Sequence, residues 1–194
     1  SHASAATPLA TLLPAAWVSL KGHLMQLVLL CALPVGVLIH HAFSREERER
    51  GGRGATALLL FTFLMLGAAF MLSVVYTATI AGLGPDEGIR LHARYYNFAL
   101  WLLVVVALVP SAGARRHALP YVLALVLAAA LAYGAGHMAQ EYKIILVDTP
   151  EMEALGLGRE RTLALWALAL HAVLLMVWPI SRRLAGIGYV ALFM

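Results

Sequence analysis

Apolar residues along this chain gather into long runs separated by short polar breaks. The runs cover 24–40, 55–75 (with apolar character continuing to 83), 98–112, 118–138 and 162–180, and another starts at 184. A helix crosses a bilayer core of about 30 Å with about 20 residues, and 17–25 is the usual range. The second, fourth and fifth runs meet that length. The first is at the lower limit, and the third needs Tyr95, Tyr96 and Asn97 to reach across. The pattern predicts an all-α fold, a polytopic transmembrane bundle of five to six spans forming a single domain over 1–194. Segment 7–20 is apolar but contains Pro14 and Trp17, which predicts an in-plane interfacial helix or a re-entrant segment ahead of the first span.

Composition agrees with this reading. Of 194 residues, 62% are hydrophobic and 12% are charged, against about half and a quarter in soluble domains, and the mean hydropathy is +0.83. A core of this size cannot hide so much apolar surface, so lipid must cover it. The net charge is +4, but the basic residues lie in short loops rather than on one polar face, which argues against nucleic acid as a partner. The single cysteine, Cys31, excludes an internal disulfide and reads as a small buried hydrophobe. No basic stretch followed by a cleavage site suggests a signal peptide. The last run stops after half a crossing, so a fragment of a longer polytopic protein is expected.

If every run crosses, the loops alternate between sides. One side then carries Arg45, Arg48, Arg50, Arg53, Arg115, Arg116, Arg182 and Arg183. The other carries Lys21, Arg90, Arg94, Lys143, Arg159 and Arg161. The excess of basic residues on the first side assigns the Arg-rich loops to the cytoplasm. The longest connection, 139–161, is then an outer loop. Within it, Asp148-Thr149-Pro150 reads as a helix start followed by acids near the positive dipole end. The run Ser44-Arg45-Glu46-Glu47-Arg48-Glu49-Arg50 reads as a solvated helical extension.

Chemistry concentrates in Gly84-Pro85-Asp86-Glu87-Gly88-Ile89-Arg90-Leu91-His92-Ala93-Arg94-Tyr95-Tyr96-Asn97. On a helix, Arg90 and Arg94 would face the same way and Asp86 would meet Arg90. Two guanidinium groups at a membrane surface suit a phosphate, because each offers a planar fork of donors. Tyr95 and Tyr96 are candidates to line a sugar or lipid head group, with His92 beside them. The plainer alternative is an interfacial loop with ordinary ion pairs and an aromatic belt. Adjacent Asp86 and Glu87 read first as a turn rather than a catalytic pair. Gln140, Glu141, Tyr142 and Lys143 are candidates to share a polar cavity with this loop. His171, mid-span, reads as a satisfied interior residue, with haem ligation as the alternative. No spacing reads as a zinc motif, so no metal or cofactor is identified.

The order of elements, an outer segment ending in Ser19-Leu20-Lys21-Gly22-His23-Leu24 and then Ala93-Arg94-Tyr95-Tyr96 at the outer start of a helix, resembles the C-terminal half of bacterial GT-C type polytopic glycosyltransferases, or of a related membrane family. The resemblance covers about residues 15–110. Ala99-Leu100-Trp101 stands where that family carries a proline-containing continuation. It implies sugar transfer at the outer face of the bacterial inner membrane from a polyprenyl-phosphate sugar donor. Arg94, with Arg90, would stabilise the phosphate. It also implies a catalytic carboxylate, and any divalent cation, outside this chain, so that this portion alone is inactive. The competing reading is a non-enzymatic bundle, either a transporter segment or an accessory subunit. Expected partners are therefore membrane lipid, the lipid-linked donor, and the rest of the protein or another membrane subunit.

Overall fold

The computed structural model describes residues 9–109, 118–157 and 160–193. The loop with Arg115, Arg116 and His117, and likewise Arg159, lie outside the described residues. Every named element is a helix: α1 (Leu9–Phe43), α2 (Arg45–Ile80), a single 3-10 turn (Ala93–Tyr95), α3 (Asn97–Ala107), α4 (Ala118–Glu141), α5 (Pro150–Ala154), α6 (Arg161–Val177) and α7 (Arg182–Phe193). The fold is all-α, and three helices, α1, α2 and α4, are long and apolar enough to cross a membrane.

The N-terminal segment differs from expectation. It is not a separate in-plane helix, because α1 runs unbroken from Leu9 through Pro14 into the first span. Pro14 lies in the second turn, where its missing N–H forfeits only the bond to the Ala10 carbonyl. The third run also differs. Its helix, α3, has 11 residues, about 16 Å, and is too short to cross alone. Ala99, Leu103 and Val106 are completely buried on a stripe spaced four and three apart, so α3 packs that face against the bundle and leaves Phe98, Trp101 and Val105 exposed. α7 comes close against its end, where a Cβ on Gly186 would collide with the Ala107 carbonyl oxygen. α6 has 17 residues, the lower edge of the crossing range.

Local signals place the start of α2. Ser44 caps it by accepting from the Glu47 N–H at 3.3 Å. The charged first turns end at Gly52, whose φ of +72° is a left-handed conformation that glycine adopts without strain. The apolar remainder turns Leu60, Phe61, Phe63, Leu64 and Leu72 outward, as a lipid-facing surface requires.

α1 is the axis of the bundle and packs against α2, α3, α4 and α6. Its middle is broken at Cys31 (φ −130°, ψ 25°), three residues before Pro34. Pro34 has no N–H to offer the Leu30 carbonyl, and the break also separates Leu33 N–H from Leu29 carbonyl. Other helices satisfy all three groups. The Tyr189 hydroxyl donates to Leu30 O at 3.0 Å. His171 Nδ1 lies 3.2 Å from Leu29 O, and Leu33 N–H donates to His171 Nε2 at 3.4 Å. His171 is thus an interior residue with both ring nitrogens engaged, as a neutral ring protonated on Nδ1, and it leaves no lone pair for iron.

Candidate functional site

Polar groups collect at the two ends of the bundle. At one end the buried Arg182 donates to Glu47 Oε2 at 3.0 Å, joining α7 to α2. The other end holds the loop singled out from sequence and is richer. Residues 81–92 form turns, not a helix, and pair with the chain after α4. Lys143 N–H donates to Ile89 O at 3.0 Å, in an isolated parallel bridge between Arg90 and Lys143. An ion pair between Lys143 and Asp86 reinforces it.

Asp148 organises this end. Its carboxylate is fully buried and takes Arg90 Nε on Oδ2 at 2.6 Å, with Arg94 Nε 3.5 Å from Oδ1. Its own carbonyl accepts the Arg94 backbone N–H at 3.1 Å. The two guanidinium groups therefore meet, but through a shared carboxylate and not on one helix face. Arg90 also reaches Glu87 Oε1 at 3.3 Å, whereas Asp86 serves Lys143. Hydrogen bonding to Asp148 holds Arg90 above its ordinary value. Arg94 is also raised, chiefly by its bond to Tyr95, and stays half exposed, with its guanidinium 5.2 Å from the Tyr95 ring centre. The bond from Arg94 and the contact with Tyr76 lower the Tyr95 phenol. In this cluster Arg90, Arg94 and Lys143 face Asp86, Glu87 and Asp148, so the charges balance.

His92 is buried rather than at the surface. Its ring nitrogens stand 3.8 Å from Glu87 Oε2 and from Asp148 Oδ2, and Tyr76 packs edge-on at 5.3 Å. Burial pushes its pKa below the ordinary value, outweighing the attraction of Asp148. Tyr96 is also displaced from its expected role. It is completely buried and cannot line a head group. Its hydroxyl donates to Gln26 Oε1 at 2.9 Å and lies 3.1 Å from His23 Nδ1. Tyr95 and Tyr96 point apart because the chain passes from a 3-10 turn to an α-helix between them. Of the five residues expected at the site, His92 and Tyr96 are buried, while Arg94 is exposed and Arg90 and Tyr95 are partly so.

Sequence reasoning missed Asp148, Tyr76, His23 and Gln26. Asp148 carried a partial signal, as an acid at a helix start on the same side as two arginines. The stretch at the end of α4 is divided: Glu141 pairs with Lys21 at 2.6 Å, and Tyr142 donates to Val18 O at 2.8 Å. Both fasten the top of α1. Among the described residues no group of three or more His, Cys, Asp and Glu is arranged to hold a metal ion.

A groove of about 840 Å³ opens between α4 and α6. Ala128, Ala132, Ala135, Ala164 and Leu168 line it, and Gln140 and Arg161 stand at its polar end. Arg161 is exposed and makes no ion pair with a described residue. The chain matches no family model, no curated protein and no solved structure.

Proposed function

We propose that this chain is the membrane-embedded part of a glycosyltransferase that uses a polyprenyl-phosphate sugar donor. The α4–α6 groove supports this most directly. Its apolar walls suit a long hydrocarbon chain, and a guanidinium at its end that pairs with no described residue suits a phosphate. The role first expected of Arg90 and Arg94 moves to Arg161, because Asp148 already neutralises much of that pair. In this reading the Arg-rich loops face the cytoplasm of a bacterial inner membrane, and the groove mouth, with Arg94 and Tyr95, faces outward. The chain supplies lipid binding and phosphate stabilisation, while the catalytic carboxylate lies elsewhere.

Native mass spectrometry of the detergent-purified chain, incubated with a polyprenyl phosphate, tests the assignment. A charge-assisted hydrogen bond is worth about 1.5–3 kcal/mol, so Arg161→Ala should weaken retention of that lipid about tenfold or more. Equal retention by both proteins would exclude Arg161 as the phosphate ligand. The balanced charges around Asp148 favour a second reading, a non-enzymatic bundle serving as transporter segment or accessory subunit. Its signature is binding of ordinary phospholipid only, unchanged by Arg161→Ala.

A further inference from the structure

A smaller cavity of about 100 Å³ lies on the flank of the bundle between α1, α3, α5 and α7. Leu30 and Leu100 form apolar walls, and the 65% exposed Trp101 stands on its lining. Two polar side chains reach it from separate elements. Asn97, the first residue of α3, and Glu151, in the first turn of α5, both line the cavity. Asn97 Oδ1 and Glu151 Oε2 are shielded from solvent, and neither receives a hydrogen bond from a described residue. A buried acceptor without a donor costs about 1–3 kcal/mol, and more when charged. Tyr189 also lines the cavity, but its hydroxyl is directed to Leu30 O and Cys31 Sγ. Among the described residues no basic side chain lines it. The cavity therefore presents two acceptor oxygens that no described donor meets, inside an apolar wall.

Size and shape narrow the ligand. The volume admits an ammonium group with a carbon or two, and two acceptor oxygens repel the oxygens of a phosphate. An ammonium carries three donors and no acceptor, the complement of these two oxygens. Trp101 brings an indole ring to the same lining, and an indole attracts a cation laid over its face. We propose that this cavity binds the primary ammonium end of an amphipathic amine, with Glu151 and Asn97 accepting its N–H groups and its apolar stem leaving past Trp101. The charge it selects is opposite to that assigned to Arg161, and the site stands whether or not the glycosyltransferase reading does. An aminolipid head group and a free alkylamine share the required chemistry.

Hexylammonium titrated into the full chain in phosphatidylcholine nanodiscs tests this, read by calorimetry and tryptophan fluorescence. Saturable binding is expected. Loss of a charged hydrogen bond predicts that Glu151→Gln binds about tenfold more weakly or worse. Hexanol, with the same stem and no charge, should bind at least as poorly as that variant binds the amine. Trp101→Phe should remove most of the fluorescence change while calorimetric binding persists. Nanodiscs containing phosphatidylethanolamine separate the two sources. Weaker hexylammonium binding there, in wild type but not in Glu151→Gln, identifies an aminolipid head group as occupant, and equal binding identifies a free amine. Equal affinity of wild type and Glu151→Gln, or an equal response to hexanol, would mean simple partitioning into the bilayer and would overturn the proposal. Should Glu151→Gln fail to fold, Asn97→Leu removes the other acceptor, fills the cavity and carries the same expectation.

Discussion

Replacing His171 with Leu tests the break in α1. The ring holds two backbone groups that the helix cannot pair itself: Leu29 O at 3.2 Å and Leu33 N–H at 3.4 Å. Leu is of similar bulk, so the packing change is small beside the lost hydrogen bonds. An orphaned buried group costs about 1–3 kcal/mol. In membranes the cost is lower, because the unfolded reference also finds partners, and interhelical bonds average about 0.6 with a maximum near 1.7 kcal/mol. Two groups together therefore predict about 1–3 kcal/mol, roughly 5- to 150-fold in the folding equilibrium. Reversible unfolding in mixed micelles, followed by far-UV circular dichroism, measures it. Tyr189→Phe removes the bond to Leu30 O, with the weaker contact to Cys31 Sγ, and should cost about 0.5–1.5 kcal/mol. Pro34→Ala returns an N–H to that carbonyl, so Tyr189→Phe should cost less in that background. A His171→Leu protein within about 0.5 kcal/mol of wild type, on the scale of a neutral substitution, would show that α1 closes its own ladder and would refute the argument.

The ion pair between Glu47 and Arg182 is buried on both sides, with side chains 10% and 7% exposed. Glu47→Ala should destabilise by about 3–5 kcal/mol by stranding Arg182, whereas Glu47→Leu with Arg182→Leu should come much closer to wild type; chemical unfolding of the three proteins distinguishes the outcomes. Burial holds His92 below 6.5, so between its folded value and 6.5 the unfolded chain binds a proton that the folded chain refuses. Stability should be greatest above pH 6.5 and fall as pH drops through that window, and His92→Gln should flatten this part of the profile.

Much of this architecture was legible from residues alone, for a physical reason. In lipid a helix must satisfy its own backbone, so a long apolar run determines a helix without reference to other parts of the chain. The bodies of α2, α4 and α6 follow from that rule. Ser44 and Gly52 set the start and the break of α2 by local geometry, and Pro150 with Glu151 and Glu153 set α5. The partnership of Arg90 with Asp148, 58 residues away, could not be read this way, because the sequence shows charge but not which opposite charge the turns bring alongside. The same holds for His171, whose partners lie 138 and 142 residues away on α1. Pro34 announces a freed carbonyl, and only the packing of α6 and α7 decides what fills it. Tyr95 and Tyr96 are neighbours with the same chemistry, yet one faces out and the other is sealed beside His23 and Gln26. Hydropathy thus determined what became a helix, while side-chain direction and charge pairing, which depend on long-range packing, were decided by the tertiary structure.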